Sequence, residues 1–308
     1  MKIQSYFKFF ILIMTSLYLS GCLSSTPYTK RKQLVLVSAQ EEMKMGYNSA
    51  KQILQKERIS RDPKLNEVVK RVGTRIAQAA KQPNYNWEFF VIDKDVLNAF
   101  CLPGGKIFVY KGLFRAVQNE DQLATVMAHE VAHAIARHGA ERMSMIQLGR
   151  MGKTVAGQVI SGGKYAGVIN KAYGSIEGVG LVLPFSRKFE YEADEIGLYL
   201  MTQAGYNPNE ALRFWDNMRR LSAGKKKPPE FLSTHPADVN RIKKIKERIP
   251  TALEHYKPNT QNGQQVQNIQ QQQVRPRQNV QNQAIQRRPS NLQNQSIRPL
   301  NQRPITPR

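Results

Sequence analysis

The pentapeptide His129-Glu130-Val131-Ala132-His133 combines residue types that can bind a metal ion and move a proton. Successive residues of an α-helix are about 100° apart, so the two histidines, four positions apart, lie about 40° apart on one face and can bind one ion together. Glu130 lies beside them, where its carboxylate can take a proton from a water molecule that the metal activates. The pattern therefore predicts one zinc ion per chain with Glu130 as the general base.

A catalytic zinc ion needs a third protein ligand and an open fourth position. The segment Glu190-Tyr191-Glu192-Ala193-Asp194 offers three carboxylates. On a helix, Glu190 and Asp194 share one face, whereas Glu192 lies about 160° from Glu190. Spacing alone leaves open which face meets the metal, and the carboxylate on the other face would belong to an ordinary solvated surface.

Helices must position these two motifs, and the chain contains the corresponding start and stop signals. Asn119 can cap a helix through the histidines that Gly139 would end. His138 would then lie about 180° from His129, close to the last carbonyl groups of the helix, and is given no catalytic role. Further helices are predicted over residues 38–59, opened by a capping box, 62–80, opened by Asp62-Pro63, and 187–203, 208–221 and 236–249.

Two segments between these helices are typical of β-strands. Residues 87–92 are aromatic and β-branched, and residues 106–110 alternate in character. Glycines at 104 and 105 provide a turn, so a small antiparallel sheet is expected in a mostly helical α+β domain. Cys101, close to the turn, is interpreted as a small buried filler.

The N-terminus has the layout of a secretory signal peptide. Lys2 and Lys8 precede an apolar run over residues 9–19, and Leu19-Ser20-Gly21-Cys22 resembles a bacterial lipobox. We therefore expect a signal peptide over residues 1–21, acylation of Cys22 and a linker over residues 22–37. An ordinary signal peptide cleaved near Gly21 is the alternative. Residues 38–256 are long enough for one domain, and residues 149–180, rich in glycine, are interpreted as a mobile or loosely helical segment that could cover a cleft.

The chain is strongly basic, with 46 Lys and Arg against 23 Asp and Glu. Residues 257–308 contain no acid and few large apolar side chains, so this Gln/Asn/Arg-rich tail is predicted to be disordered. Such a charge favours anionic surfaces, and export makes lipid headgroups the better partner. Nucleic acid is disfavoured because no stacking aromatic residues alternate with the arginines of the tail.

Four segments together resemble the gluzincin peptidases of the CAAX prenyl protease and HtpX type, in particular their periplasmic lipoprotein and BepA-like branch. They are Asn98 to Val109, the HEVAH helix, Ser186 to Asp194, and Ser233-Thr234-His235-Pro236 with Arg241. The resemblance covers about residues 40–250 and implies a zincin-like fold in which Glu190 is the third zinc ligand and Asp194 orients a ligating histidine. It also implies that an edge strand binds an extended substrate by strand addition. That strand would consist of Lys106, Ile107, Phe108, Val109 and Tyr110.

His235 is the remaining imidazole that could reach the metal. It precedes Pro236, where a helix is expected to begin. It could donate a hydrogen bond to the oxyanion, with Asn98 as a companion, or it could occupy the fourth zinc position and block the enzyme. A scaffold residue without contact to the site is the third possibility; the donor role is preferred.

The sequence thus predicts an endopeptidase that cleaves misfolded or stalled envelope proteins at the periplasmic face of the outer membrane. The alternative is a chaperone or assembly factor for outer-membrane proteins that uses the same groove and hydrolyses little.

Overall fold

The computed structural model of the protein describes residues 23–155, 187–224, 227–236 and 239–258. For residues 23 and 148–155 it describes the backbone only. The signal peptide, Cys22, most of the glycine-rich segment and the tail beyond residue 258 lie outside these ranges. The strands are β1 (Leu23–Ser25), β2 (Lys32–Leu34), β3 (Glu88–Ile92), β4 (Ala99–Leu102) and β5 (Lys106–Tyr110). The helices are α1 (Ala39–Lys56), α2 (Pro63–Ala80), α3 (Glu120–Ile135), α4 (His138–Val155), α5 (Arg187–Gln203), α6 (Glu210–Ser222), α7 (Glu230–Thr234) and α8 (Val239–Leu253), and a 3₁₀ helix covers Lys111–Arg115.

Local sequence explains where the first helices begin, and the structure confirms these predictions. Ser38 forms a reciprocal capping box with Glu41 at the start of α1. Asp62 accepts hydrogen bonds from the backbone of Lys64 and Leu65 at the start of α2, where Pro63 occupies the first turn. An apolar face of α2 is buried against α3 and β3. None of the helices in the described ranges combines the length and apolar character needed to cross a bilayer.

The helix that carries the HEVAH motif ends earlier than the sequence indicated. Asn119 caps it as predicted, but it ends at Ile135 rather than at Gly139. Arg137 adopts a left-handed conformation with φ of 58° and is held there by hydrogen bonds to Glu42 and to the carbonyl of Val37. Glycine is therefore unnecessary for this break, because tertiary contacts offset the strain of a left-handed arginine.

The three-stranded sheet is mixed, and its order corrects two predictions. β4 and β5 form the expected antiparallel hairpin, but β3 pairs with β5 in parallel, so the order is β3-β5-β4. Residues Lys106 to Tyr110 therefore form the central strand, paired on both sides and buried throughout, and cannot be the edge strand. Within the described ranges the sheet edge that contacts α3 is β4.

Residues 23–34, expected to be part of a linker, form a two-stranded antiparallel hairpin. Leu23 lies opposite Leu34 and Ser25 opposite Lys32. After the hairpin, the backbone N–H of Leu36 donates to Ser144 Oγ, and Val35 packs with Ala140 and Met143 of α4. The segment is therefore attached to the domain along its length.

Helix α3 lies at the centre of the molecule, with almost every residue buried. It packs on α2, α5, α6 and β4, and its most extensive contact is with α5. A Cβ atom on Gly197 of α5 would lie 3.2 Å from the backbone nitrogen of His129. Because Gly197 lacks that atom, α5 can approach α3 beside the first histidine, which brings the carboxylates of α5 next to the HEVAH motif.

Candidate metal centre

Three elements bring four metal-binding side chains to one point. α3 supplies His129 and His133, whose Nε2 atoms are 3.1 Å apart. Glu190, in the first turn of α5, places its carboxylate oxygens 3.4 Å from both Nε2 atoms. His235, at the end of α7, places Nδ1 3.2 Å from His129 Nε2 and 3.2 Å from each oxygen of Glu190. One atom from each of these four residues lies within 4.8 Å of the others, and all four are buried.

This set of donors fits zinc. Imidazole nitrogen and carboxylate oxygen are among its usual protein ligands, and the common geometry is tetrahedral. Glu130 also belongs to the site: its Oε1 is buried without a hydrogen-bond partner in the described part of the chain, 3.4 Å from His235 Nε2. A buried carboxylate oxygen without a hydrogen bond is energetically costly unless a ligand or a water molecule binds it. Its presence beside the four donors therefore indicates a functional site.

The ionisable groups of the site have pKa values shifted in different directions. Burial raises the pKa of the Glu130 carboxyl above its usual value. Burial acts in the same sense on Glu190, but the neighbouring His235, Arg241 and His133 hold its pKa well below the usual range. Burial also lowers the pKa of His133 well below its usual value, which keeps that imidazole neutral, the form that binds metal.

His129 is supported from behind by a buried ion pair. Its Nδ1 lies 3.0 Å from Asp194 Oδ1, and Arg241 binds both oxygens of Asp194, with Nε at 2.5 Å and Nη2 at 2.8 Å. Arg241 is completely buried, reaches Glu190 Oε2 with Nη1 at 2.8 Å, and stacks 4.1 Å above the ring of Trp215. One guanidinium therefore holds both Asp194 and Glu190.

At Nδ1, His133 contacts His138 rather than a carboxylate. The positions of His138 and Glu192 correct two predictions. Nδ1 of His133 lies 2.9 Å from Nδ1 of His138, whose Nε2 lies 3.1 Å from Glu192 Oε2. His138 does not cap the end of α3: because the helix breaks at Arg137, its ring turns back towards the site and is fully buried. Glu192 does project away from Glu190, but it faces the N-terminal hairpin and is buried rather than solvated.

Asn98 lies at the start of β4 and is buried. Its side-chain oxygen accepts a hydrogen bond from the backbone N–H of Ala99 at 2.9 Å, which fixes the entry to the strand. In the described part of the chain no hydrogen bond links Asn98 to the four metal-binding residues. Cys101 packs against the main core, where burial and the charge of Glu130 raise the pKa of its thiol well above the usual value.

The sequence therefore indicated the side chains that face the metal position, and the resemblance indicated Asp194 behind His129, but the other supporting residues were missed. Arg241 had been noted only as part of a motif, without a role. His138 and Glu192 were assigned to the wrong surroundings, and Arg31 was not noticed. No local signal in the sequence marks these residues, because the bonds that join Arg241 to Asp194, His138 to Glu192 and Arg31 to Glu192 connect positions 47, 54 and 161 apart.

The site defines a zinc metallopeptidase: one helix carries two histidines and a glutamate, and a second helix places a carboxylate beside them, in a group that could hold a metal ion. A family model for peptidase family M48 matches residues 63–249, and the chain belongs to this family. The enzyme class and the zinc cofactor predicted from the sequence are thereby confirmed.

Named relatives fall into two groups. The mitochondrial metalloendopeptidase OMA1 of Schizosaccharomyces pombe is 36% identical over 233 residues, which cover 75% of this chain and 67% of the relative. The Saccharomyces cerevisiae protein of the same name is 33% identical over 259 residues, 78% of this chain and 73% of the relative. The beta-barrel assembly-enhancing protease of Escherichia coli is 29% identical over 219 residues, 69% of this chain but 44% of that longer protein.

Proposed function

We propose that this zinc metallopeptidase cleaves misfolded or stalled cell-envelope proteins from a lipid anchor at the periplasmic face of the outer membrane, and that it belongs to the periplasmic lipoprotein and BepA-like branch of its family. The observation that carries the hydrolytic part is the buried Oε1 of Glu130, which has no hydrogen-bond partner in the described part of the chain and lies beside His129, His133 and Glu190. These three residues would hold zinc.

Bound zinc supplies a Lewis acid that polarises the peptide carbonyl and lowers the pKa of water. Glu130 takes the proton from the attacking water, and burial, which raises the pKa of its carboxyl, helps it to keep that proton until the leaving amine needs it. Arg241 and Asp194 hold Glu190 and His129 in place throughout. The closed packing of α3 against α5 and β4 keeps bulk water away from these groups.

Strand β4 is the proposed binding edge for the substrate backbone, in place of the central strand β5. The carbonyl of Asn98 accepts from the N–H of Tyr110 on β5. In an antiparallel pair the N–H and C=O of one residue point to the same side and alternate along the strand, so the backbone of Ala99 and Cys101 points away from β5. The N–H of Ala99 is bound by Asn98, which leaves the backbone groups of Cys101 to pair with an extended polypeptide.

His235 is proposed to be a fourth zinc ligand that closes the site, rather than the oxyanion donor that the sequence favoured. Support comes from its Nδ1, which lies 3.2 Å from both Glu190 oxygens and from His129 Nε2. An imidazole in this place occupies the position that water or substrate needs. Its ring is packed on Phe231, with centroids 4.7 Å apart, so opening requires α7 to move.

The envelope role is supported by the lipobox at Cys22 and by the similarity to a beta-barrel assembly-enhancing protease. The basic tail would bring the enzyme to anionic surfaces. The name of that relative also favours the second candidate, a chaperone or assembly factor for outer-membrane proteins that hydrolyses little. The higher identity to mitochondrial metalloendopeptidases favours a third, an organellar peptidase with the same chemistry.

The Glu130→Gln variant separates hydrolysis from assembly. Glutamine fills the same space but cannot accept a proton, so zinc content should equal that of the wild type while cleavage of an unfolded protein such as casein falls by at least about 100-fold. The variant is then expressed in cells that lack the protein. If it restores the envelope as well as the wild type does, hydrolysis is not the main role and the assembly factor is favoured.

A further inference from the structure

The N-terminal hairpin reaches a buried carboxylate next to the metal centre. Thr26 Oγ1 donates to Glu192 Oε1 at 2.6 Å, and the Thr29 hydroxyl binds the same oxygen. Arg31 donates from Nε to Glu192 Oε2 at 2.5 Å and binds both oxygens of Glu141 with its two terminal nitrogens.

On its inner side Glu192 is connected to a zinc ligand through one imidazole. His138 Nε2 lies 3.1 Å from Glu192 Oε2, and His138 Nδ1 lies 2.9 Å from His133 Nδ1. The His138 ring is fully buried and stacked on Phe189, with centroids 4.6 Å apart and planes 12° apart. It has little freedom to rotate.

Only one arrangement of hydrogens satisfies all these contacts with neutral rings. An ionised Glu192 accepts from Nε2–H of His138, which leaves His138 Nδ1 as an acceptor. His133 must then donate from Nδ1–H, which frees its Nε2 lone pair on the side that faces His129 and Glu190.

We propose that His138, held by Glu192 and the N-terminal hairpin, is a positioning residue that fixes the tautomer and orientation of His133 for zinc. His129 has the usual arrangement of this kind, a direct contact with the carboxylate of Asp194. His133 obtains the same support through an additional imidazole, and the carboxylate is held by the N-terminal hairpin. The proposal depends on the assignment of His133 as a ligand.

The test compares three substitutions at His138 in the mature protein, with the zinc dissociation constant measured by competition with a chelator. His138→Phe keeps the stacking and removes both hydrogen bonds, and it should weaken zinc binding about 10- to 100-fold. His138→Asn places an oxygen where Nδ1 accepts from His133 and should recover most of that affinity. His138→Gln places its amide towards Glu192 and should recover little. Similar affinities for the Asn and Gln variants would overturn the proposed role.

The role of the hairpin is tested with substitutions that lie outside the metal centre. Thr26→Val keeps the side-chain shape but removes one donor to Glu192, and it should weaken zinc binding in the same direction even if His138→Phe folds poorly. Lys32→Ala, next to Arg31 and exposed, is the matched control and should not change the affinity. Wild-type affinity in Thr26→Val would exclude the hairpin from the mechanism.

His133→Ala separates failure of this proposal from failure of the ligand assignment. If His133→Ala loses zinc while every His138 variant keeps it, the ligand assignment holds and the positioning role is wrong. If His133→Ala itself binds zinc like the wild type, the ligand assignment is wrong and the positioning role fails with it.

Discussion

The two histidines of the HEVAH motif are each backed by a carboxylate that an arginine holds. For His129 the carboxylate is Asp194 and the arginine is Arg241. For His133 the connection runs through His138 to Glu192 and Arg31. Isolated buried charges are expensive, and pairing them with hydrogen bonds makes burial of this many ionisable groups possible. The same pairing restricts the rotamers of the ligands, so the donor atoms lie close to the positions that zinc requires.

The role of His235 can be decided by removing its side chain. If it blocks the fourth position, His235→Ala should raise casein hydrolysis, by about tenfold where the closed arrangement occupies about 90% of molecules. Zinc affinity should fall at the same time, because one donor is lost. Initial rates and chelator competition measure the two effects, and His255→Ala, an imidazole outside the metal-binding group, is the control.

The alternative roles give different results for the same variant. An oxyanion donor predicts a loss of turnover of about 100- to 1,000-fold with zinc retained. Unchanged rate and unchanged zinc affinity would leave His235 as a scaffold residue.

At the scale of elements, the site depends on the order of the strands. Because β3 and β4 both pair with β5, the strand with the most regular alternation lies in the middle of the sheet and the shorter β4 lies at its edge. β4 contacts α3, so a chain added to that edge passes along the metal helix. The parallel pairing of β3 with β5 requires a crossover connection. This connection runs from residue 93 to residue 105 and includes β4.

Strand addition at β4 predicts a specific effect of proline. Cys101→Pro removes a backbone N–H that points away from β5, so the hairpin with β5 should be kept while the substrate loses one hydrogen bond. We expect kcat/KM for casein to fall about tenfold, since a hydrogen bond contributes about 0.5–1.5 kcal/mol. Cys101→Ala keeps the N–H and removes the thiol. If both variants lose the same activity, the thiol or its packing is responsible and the backbone is not.

At the scale of the whole molecule, zinc would connect α3, α5 and the end of α7, three parts of the chain far apart in sequence. A ligand that binds only the folded state stabilises it, by about 2.7 kcal/mol at a free concentration 100 times its dissociation constant. Chelation should therefore lower Tm by about 5–10 °C for a domain of this size, and added zinc should restore it.

Scanning calorimetry checks the effect of zinc, with two variants as controls. Glu130→Gln should show the same shift as the wild type, because Glu130 is not a proposed ligand. Glu190→Ala should show almost none. An equal shift in Glu190→Ala would mean that zinc stabilises the protein from another site.

The proposed membrane attachment concerns the full chain and is tested at Cys22. Cys22→Ala should move the protein from the membrane fraction to the soluble exported fraction, because acyl chains would be the main anchor. Intact mass of the mature N-terminal peptide measures acylation directly. An unmodified cysteine, or a mature chain that begins elsewhere, would refute the lipoprotein assignment and favour the ordinary signal peptide or the organellar alternative.

Local sequence alone determined where three capped helices start and that His129 and His133 lie on one helix face. A cap at Ser38, Asp62 or Asn119 acts within one turn, and the spacing of His129 and His133 is a property of a single helix. Such features depend on neighbouring residues, so they could be predicted. Glu190 needed more than spacing, because the helix offers two carboxylate faces and only packing against α3 selects one.

Tertiary structure decided what local rules could not. The break at Arg137 depends on contacts with Glu42 and Val37 about a hundred residues earlier, and it changes the direction in which His138 points. The central place of β5 depends on its direct pairing with β3, although β4 lies between these two strands in the sequence. Glu192 is buried because the N-terminal hairpin folds onto it. In each case the deciding contact joins segments distant in sequence. Local sequence patterns contain no information about the free energy of such a contact.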